Sequence, residues 1–299
     1  MTGPSVAIII PNWNGAKFIL DCLNSLSKID YGNCEVVVVD NCSVDDSIEL
    51  IKNNYPSVKI IQNKENLGFA GGCNKGIKYA LENNFDYVLL LNNDTVVDLT
   101  FLSAMVVVAQ EEPKVGVVGG KIYYYGEERL IWFAGGRYVP WRVSFQHMSW
   151  RKKEEKELTG VVECDFITGC LMLIDIKLFK ETELFYEPYF LCVEDADFCY
   201  RTKKNGWKIK TALDAKIWHK VSASRDGEFS FSNTYYGVRN RLYFAFCVSK
   251  NYFGGLFLLF IVLPLRAAEW TMEGKFNILK GLILGITDFL KGKMGERKK

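Results

Sequence analysis

The chain has 299 residues, 49% of them hydrophobic and 24% charged, and its 37 Lys/Arg against 35 Asp/Glu leave a formal charge of +2. That balance is ordinary for a globular protein and argues against a nucleic-acid binder working through a broad basic surface; the length suits one large domain, or one domain with an appendage. Nine scattered cysteines without a CxxC pair, and only two histidines, argue for reduced core thiols and against a zinc cluster. The opening MTGPSVAIII has neither a basic flank nor a cleavable apolar stretch, so the expectation is a cytoplasmic catalytic portion without a signal peptide.

In chain order, "SVAIII" (5–10) is a continuous apolar run, as for a strand buried on both faces. Phe18, Ile19, Cys22, Leu23 and Leu26 then recur at helical spacing. "EVVVVD" (35–40) predicts a second strand and 45–54 a short helix with acids in its first turn. "VKIIQ" (58–62) is a third strand, 70–82 a helix with glycines at its start, and "YVLLL" (87–91) a fourth strand. A helix over 101–109 and a strand over 115–120 close the series. Strands alternating with helices predict an α/β domain with a mostly parallel sheet, whose ligands bind beyond the carboxyl ends of the strands. Residues 121–160, rich in Tyr, Trp and charge, read as an irregular insertion, and order returns over 161–175.

Polar residues gather where the ligand rule points. Strand one ends in Pro11-Asn12-Trp13-Asn14, and strand two in Asp40-Asn41, with Ser43 and Asp45 behind. Strand three leads to Asn66-Leu67-Gly68-Phe69-Ala70-Gly71-Gly72, and strand four ends in Asn92-Asn93-Asp94. Each is a turn sequence by itself; four on one edge suggest a pocket. Asp40 suits either a helix cap or a nucleotide's ribose or base. The 68–72 glycines either form a plain loop or let backbone N–H groups approach phosphates. Neither GxGxxG nor GxxxxGK[ST] is present, which weakens dinucleotide and P-loop readings. Asn92 and Asp94, two apart, would face one side of an extended segment and suit Mg²⁺ or Mn²⁺, or else form an Asx turn. In "FLCVEDADFCYRTKKNGWKI" (190–209), Glu194, Asp195 and Asp197 open a helix ending near Gly206. One acid would suffice for a cap, so three point to a general base for an acceptor hydroxyl. His219 is either packed beside Trp218 or a second ligand with Asp94, and Arg239 and Arg241 suit phosphates or surface acids.

Taken together, "VAIIIPNWNG", "EVVVVDNCSVDDS", "NLGFAGGCNKGI", "YVLLLNNDTVVD", "ITGCLMLID", "VEDADFCYRTKKNGWKI" and "IWHK" resemble the family-2 inverting glycosyltransferases of GT-A fold, especially rhamnosyltransferase-like members, over about residues 5–245. The resemblance implies nucleoside contacts from Asp40 and Asp45 within a candidate donor-binding set that also holds Pro11, Asn12, Asn14, Asn41, Asn66, Gly68, Gly71, Asn74, Asn92 and Asn93. It implies Mg²⁺ or Mn²⁺ on Asp94, with His219 as a later ligand, and Asp195, beside Glu194, as catalytic base. Asn92 stands where the family's DxD pattern begins with an acid, which removes one carboxylate from the metal site. The implied reaction is a single displacement from a UDP- or dTDP-sugar to a saccharide hydroxyl, with inversion. A sugar-phosphate nucleotidyltransferase, or a silent carbohydrate-binding protein on the same fold, is the alternative.

The carboxyl-terminal stretch is different. Residues 252–265 form an uncharged 14-residue run, shorter than the roughly 20 residues a spanning helix needs. Phe276, Ile278, Leu279, Leu282, Ile283, Ile286, Phe289 and Leu290 then recur at helical spacing, punctuated by Lys275, Lys280, Lys291, Lys293, Arg297, Lys298 and Lys299. Residues 266–299 hold eight Lys/Arg against four Asp/Glu. The expectation is a catalytic domain over 1–245, with a nucleotide-sugar half to about 120 and an acceptor half beyond. Residues 246–299 would be amphipathic helices attaching the protein peripherally to the inner face of the cell membrane, near a polyprenyl-linked acceptor.

Overall fold

The computed structural model describes residues 3–220 and 230–297; Lys298 and Lys299 of the basic tail lie outside the described residues. The element order is β1 (Val6–Asn12), α1 (Ile19–Leu26), β2 (Cys34–Asp40), α2 (Ser47–Asn54), β3 (Lys59–Gln62), α3 (Gly68–Glu82), β4 (Tyr87–Leu91), β5 (Thr95–Val97), α4 (Phe101–Gln110), β6 (Val115–Tyr124), β7 (Ile131–Phe133), β8 (Gly136–Val139), β9 (Ser144–His147), β10 (Val161–Glu163), β11 (Leu171–Asp175), α5 (Glu194–Lys204), β12 (Lys208–His219), α6 (Phe231–Tyr243), α7 (Tyr252–Phe257), α8 (Leu263–Met272) and α9 (Phe276–Leu290). The first four strands coincide with the apolar runs: Val6–Ile10 and Val88–Leu91 are sealed from solvent because helices cover both faces of the sheet.

The main sheet runs β10-β12-β6-β11-β4-β1-β2-β3, with β5 on β12 and β7 on β6. The β4–β1, β1–β2, β2–β3 and β6–β12 pairs are parallel. β11 slots antiparallel between β4 and β6. One consequence is that β6 does not follow β4 directly; the wedge of β11 carries the chain back past the site.

The expectation of an irregular 121–160 is corrected. β6 continues to Tyr124, β7 pairs with it, and β8 and β9 form a separate antiparallel hairpin. Charge hid this region in the sequence because it encloses a buried ion pair. Lys121 Nζ meets Glu154 Oε1 at 2.7 Å with both side chains excluded from solvent. Glu154 also accepts from Tyr123 Oη (2.6 Å) and the Leu158 N–H (2.8 Å). Burial alone would raise the Glu154 pKa; the hydrogen bonds from Lys121, Tyr123 and Leu158 outweigh it and bring it to about 2.

The carboxyl-terminal helices share a second core with the body of the chain. Leu258, Leu263 and Leu282 pack with Val143, Tyr189, Val238, Leu242 and Phe244. Two glycines let α9 lie close on α6: a Cβ at Gly281 would stand 2.8 Å from the Phe231 carbonyl, and one at Gly285 2.7 Å from that of Tyr235. The helix Tyr252–Met272, interrupted by a π-turn at Leu258–Val262, keeps its other side open, with Phe253, Phe260 and Leu265 each at least 65% exposed.

Glu154→Ala would strand a buried ammonium, so urea denaturation at neutral pH should show a loss of about 3–5 kcal/mol. The depressed Glu154 pKa contributes stability that is complete above the unfolded carboxyl value, about 4.3, and is lost as pH falls toward about 2. The gap between wild type and variant should therefore narrow in acid. A gap that is small at neutral pH, or that widens in acid, would contradict the assignment.

Candidate active site

β1 and β2 end level: Asn12 stands opposite Asp40, and Asp40 opposite Gln62 of β3. Side chains leaving these strands therefore share one edge. Asn12, buried, ties that edge together. Its Nδ2 donates to Asp40 Oδ1 (3.1 Å) and Ser47 Oγ (3.0 Å), and its Oδ1 accepts from Asn93 Nδ2 (2.8 Å). Asp40 also accepts from the Ser43 N–H (3.1 Å) and Oγ (2.5 Å). Asp45 accepts from the Ala16 N–H (2.8 Å) and Ser47 Oγ (2.6 Å). Burial would raise the Asp45 pKa, but the hydrogen bonds from Ser47 and Ala16 win and lower it, so the carboxylate stays ionised. Asn14, at φ 51°, donates its N–H to Ser43 Oγ (2.9 Å) and accepts from the Val44 N–H (2.9 Å). Pro11 lies beside it on β1, half-buried.

The next loop closes the same edge. Asn41 Nδ2 donates to the Gly68 carbonyl (2.8 Å), and Asn66 Oδ1 accepts the Gly68 N–H (2.9 Å). Gly68 has φ +71°, and a Cβ there would stand 2.3 Å from the Phe190 carbonyl; only glycine fits. Gly71 lies in the first turn of α3, where a Cβ would meet the Leu67 side chain at 2.6 Å. Asn74 is occupied elsewhere: its amide bonds the backbone of Phe185 in both directions (2.8 and 3.1 Å) and Glu187 Oε1 (3.0 Å). We assign it to holding the 185–187 turn.

β4 ends at Leu91, and Asn93–Asp94 is a turn before β5. The expectation that Asn92 and Asp94 share one side of an extended strand is thus corrected. Asn92 instead anchors the turn, its N–H donating to the Cys170 carbonyl (3.1 Å) and its carbonyl accepting from Thr95 Oγ1 (2.8 Å). Asp94 is brought to its neighbour by strand pairing. β5 lies against β12 with Thr95 opposite His219, and the Lys220 N–H donates to the Asp94 carbonyl at 2.9 Å. Asp94 Oδ1 then lies 3.0 Å from His219 Nε2, both residues buried. Burial would lower the His219 pKa; the Cys170 sulfur and the Asp94 carboxylate beside the ring outweigh it and raise it well above the usual value. Trp132 meets His219 and His147 edge-on, each at 4.8 Å, so both histidines share one aromatic wall. His147 packs edge-on against Phe133 and bonds the Trp132 carbonyl; burial lowers its pKa to about 4.

An oxygen and an imidazole nitrogen so placed suit a divalent cation. Two neighbouring ligands of an octahedral ion with bonds near 2.1 Å stand about 3.0 Å apart. Among the described residues no cluster of three or more His, Cys, Asp or Glu forms a complete cage. The pair fits an ion that takes its remaining ligands from a substrate or water, as Mg²⁺ and Mn²⁺ sites do.

α5 presents the acids. Asp195 Oδ2 accepts the Gly169 N–H (3.0 Å) and Oδ1 the Ala196 N–H (2.7 Å). Burial raises its pKa against the lowering effect of those bonds. Glu194 is buried in the same turn. Cys170 links the two halves of the site: its sulfur lies in the fields of His219, Asp94 and Asp195 at once. Asp197 turns away and pairs with Arg201 at 3.0 Å.

The loop that launches α5 is strained. Phe190, Cys192 and Val193 have φ of 64°, 67° and 77°, costly for L-residues and most of all for a β-branched one. Arg239 and Asn240 hold it there. Asn240 Nδ2 donates to the carbonyls of Tyr189, Leu191 and Cys192 (2.7–3.0 Å), and Arg239 donates to those of Tyr189 (3.0 Å) and Gly295 (2.8 Å). Arg241 donates to the carbonyls of Val143 and Arg142. The reading of Arg239 and Arg241 as phosphate or surface-acid partners is corrected: both side chains are spent on backbone carbonyls. Sequence inspection had no signal for Cys170, Trp132 or the Asn240 clamp, since an isolated Cys, Trp or Asn carries no spacing pattern.

Residues 7–182 match the model described as Glycosyl transferase family 2. Over 217 residues the chain is 28% identical to a dolichyl N-acetyl-α-D-glucosaminyl phosphate 3-β-D-2,3-diacetamido-2,3-dideoxy-β-D-glucuronosyltransferase of Methanococcus voltae, covering 69% of this chain and 64% of that one. Over 228 residues it is 30% identical to the poly-β-1,6-N-acetyl-D-glucosamine synthase of Staphylococcus aureus (strain COL), covering 74% and 51%. The chain thus spans less than two-thirds of either relative. Its fold is similar to that of GalNAc-T7, solved with UDP, GalNAc and Mn²⁺ (TM-score 0.63, 16% identity, 84% of this chain and 49% of that one). It is also similar to residues 1–349 of S. aureus TarS (TM-score 0.59, 18% identity, 97% and 81%).

Proposed function

The chain belongs to glycosyl transferase family 2, and from that premise we propose that it moves a sugar from a UDP- or dTDP-sugar to a saccharide hydroxyl by a single inverting displacement. The observation that carries this reading is the 3.0 Å approach of Asp94 to His219, with Asp195 bonded to the Gly169 N–H one residue before Cys170. Asp40 and Asp45, with the amides of Asn12, Asn14, Asn41 and Asn66, line the edge that receives the nucleoside. Gly68, opening α3, gives the space of its missing Cβ to the Phe190 carbonyl and so holds the loop before α5 against this edge. Asp94 and His219 would hold Mg²⁺ or Mn²⁺, which when bound offsets the negative charge that develops on the leaving diphosphate.

Asp195 takes the proton from the attacking hydroxyl. Two backbone N–H donors fix its carboxylate, leaving the other lone pairs for the acceptor. Its raised pKa makes it a stronger base than a free aspartate. The opposed faces required for inversion correspond to nucleotide on the β1–β2 side and base on the α5 side.

In this reading residues 1–245 are the catalytic domain, with the nucleotide-sugar half ending near residue 120, and 246–299 attach it to the cytoplasmic face of the membrane. The helix Tyr252–Met272 is long and apolar enough to cross a bilayer. We favour its lying in the interface, because Leu258 and Leu263 are committed to the core shared with α6 while Phe253, Phe260 and Leu265 face outward. A lipid-linked acceptor, such as the dolichyl phosphate conjugate named for the M. voltae relative, would meet the site from that side.

Asp195→Asn should abolish transfer from a radiolabelled nucleotide-sugar panel assayed with Mn²⁺ and a membrane lipid extract, while donor binding by calorimetry stays within a few-fold of wild type. Because the base must be ionised, wild-type transfer should fall as pH drops through the raised Asp195 pKa. Transfer that survives the substitution would remove Asp195 from the role.

A further inference from the structure

The strained loop before α5 is held from two sides. On one it meets the donor edge, where the Phe69 N–H donates to the Phe190 carbonyl at 2.7 Å. On the other it meets Arg239, which is 1% exposed. Among the described residues this guanidinium pairs with no carboxylate, yet its fork is used in full. Nε donates to Asn240 Oδ1 (2.9 Å), Nη1 to the Gly295 carbonyl (2.8 Å) and Tyr235 Oη (3.4 Å), and Nη2 to the carbonyls of Tyr189 (3.0 Å) and Pro188 (3.3 Å). The rings of Tyr235 and Tyr236 lie against it at 5.3 and 5.0 Å. A guanidinium stays charged when buried, so these neutral oxygens and ring faces must replace its water.

Gly295 belongs to a strap that follows α9 and runs back along α6. Its N–H donates to the Pro188 carbonyl (2.7 Å), and the Arg297 N–H donates to Tyr236 Oη (3.0 Å). The Arg297 guanidinium covers the rings of Phe231 and Tyr235 at 5.5 and 5.1 Å. Loop and strap are thus joined twice, once directly and once through Arg239. Filling the gap between two tyrosines needs only an apolar side chain; the guanidinium adds direction. It fixes the carbonyls of Pro188 and Tyr189, immediately before the left-handed residues Phe190, Cys192 and Val193. The Val193 carbonyl then begins α5 by accepting the Asp197 N–H (2.8 Å), and Asp195 lies in that first turn.

We propose that Arg239 is a positioning residue for sugar transfer: closed by the strap at Gly295, it holds the 188–193 loop so that Asp195 stands at a fixed reach from the donor edge. The inference deepens the reading of Asp195 as base and rests on it.

The test is steady-state transfer by the full chain with Mn²⁺, a radiolabelled nucleotide sugar and the lipid extract, alongside calorimetry of UDP with Mn²⁺. Arg239→Lys keeps the charge and loses the fork. Its kcat should fall about a hundred-fold, the scale of a misplacement near 1 Å. Donor KM and UDP affinity should stay within about two-fold, since the lost interaction is made only on the way to transfer. Gly295→Pro changes the half-buried strap, where proline cannot keep a φ of +83°. It should lower kcat about ten-fold, roughly the worth of one hydrogen bond from a charged donor, and it keeps the inference testable should a buried lysine unfold the chain. Arg241→Lys, whose fork serves the carbonyls of Arg142 and Val143 instead, should leave kcat unchanged. In an Asp195→Glu background, where the base is already displaced, Arg239→Lys should cost only about a few-fold, because residues acting as one unit are not additive. Equal costs in the two backgrounds, or a loss of UDP affinity matching the loss of kcat, would make Arg239 a merely structural residue and overturn the inference. Wild-type kcat in both Arg239→Lys and Gly295→Pro, with Asp195→Asn inactive, would overturn the clamp and spare the base. Transfer that survives Asp195→Asn would overturn both.

Discussion

The 3.0 Å contact between Asp94 and His219 is the constraint from which the proposed chemistry follows. Neither residue reaches the other by local geometry. Asp94 lies in a turn after the fourth strand, and His219 ends the last one. They meet because β5 turns back onto β12, and β12 reaches that position only by running parallel to β6 across the sheet. Cys170 stands beside both, at the end of the loop leading into β11, the strand wedged between β4 and β6. Strand order thus assembles a carboxylate, an imidazole and a second carboxylate that the sequence scatters.

Rigidity on the other side of the site comes from a different device. The loop before α5 keeps three left-handed residues, which persist only when neighbours over-determine them. Asn240 and Arg239 supply that determination through six hydrogen bonds to backbone carbonyls along 188–192 and at Gly295. Since Gly295 follows α9, the carboxyl-terminal helices are tied through one buried arginine to the loop that presents Asp195. A change in how those helices pack against α6 has a physical route to the proposed base.

Much of this was legible in advance, for identifiable reasons. Val6–Ile10 and Tyr87–Leu91 read as strands because burial on both faces removes the need for alternation. The polar corners at Asn12, Asp40 and Asn66 followed from the rule that ligands sit at strand ends. The region from 121 to 160 was opaque because a buried Lys121–Glu154 pair looks, in sequence, like solvated charge. Asn92 and Asp94 were placed on one strand face because nothing in "LLLNNDTVV" marks where extension gives way to a turn. Arg239 and Arg241 looked like anion ligands because a guanidinium aimed at carbonyls has the same spelling as one aimed at phosphate. Asn74 likewise falls in the donor-binding set that the resemblance implies, although its amide is spent on Phe185 and Glu187.

Mn²⁺ binding tests the central claim most directly. Titrating the ion into the protein with UDP or dTDP, and following the electron paramagnetic resonance signal of free Mn²⁺, reports occupancy without any need for the acceptor. If Asp94 and His219 hold the cation, wild type should deplete the free signal, and Asp94→Asn and His219→Gln should each weaken binding by about ten-fold or more. Undiminished Mn²⁺ binding by Asp94→Asn would contradict the assignment and leave the buried pair a structural contact.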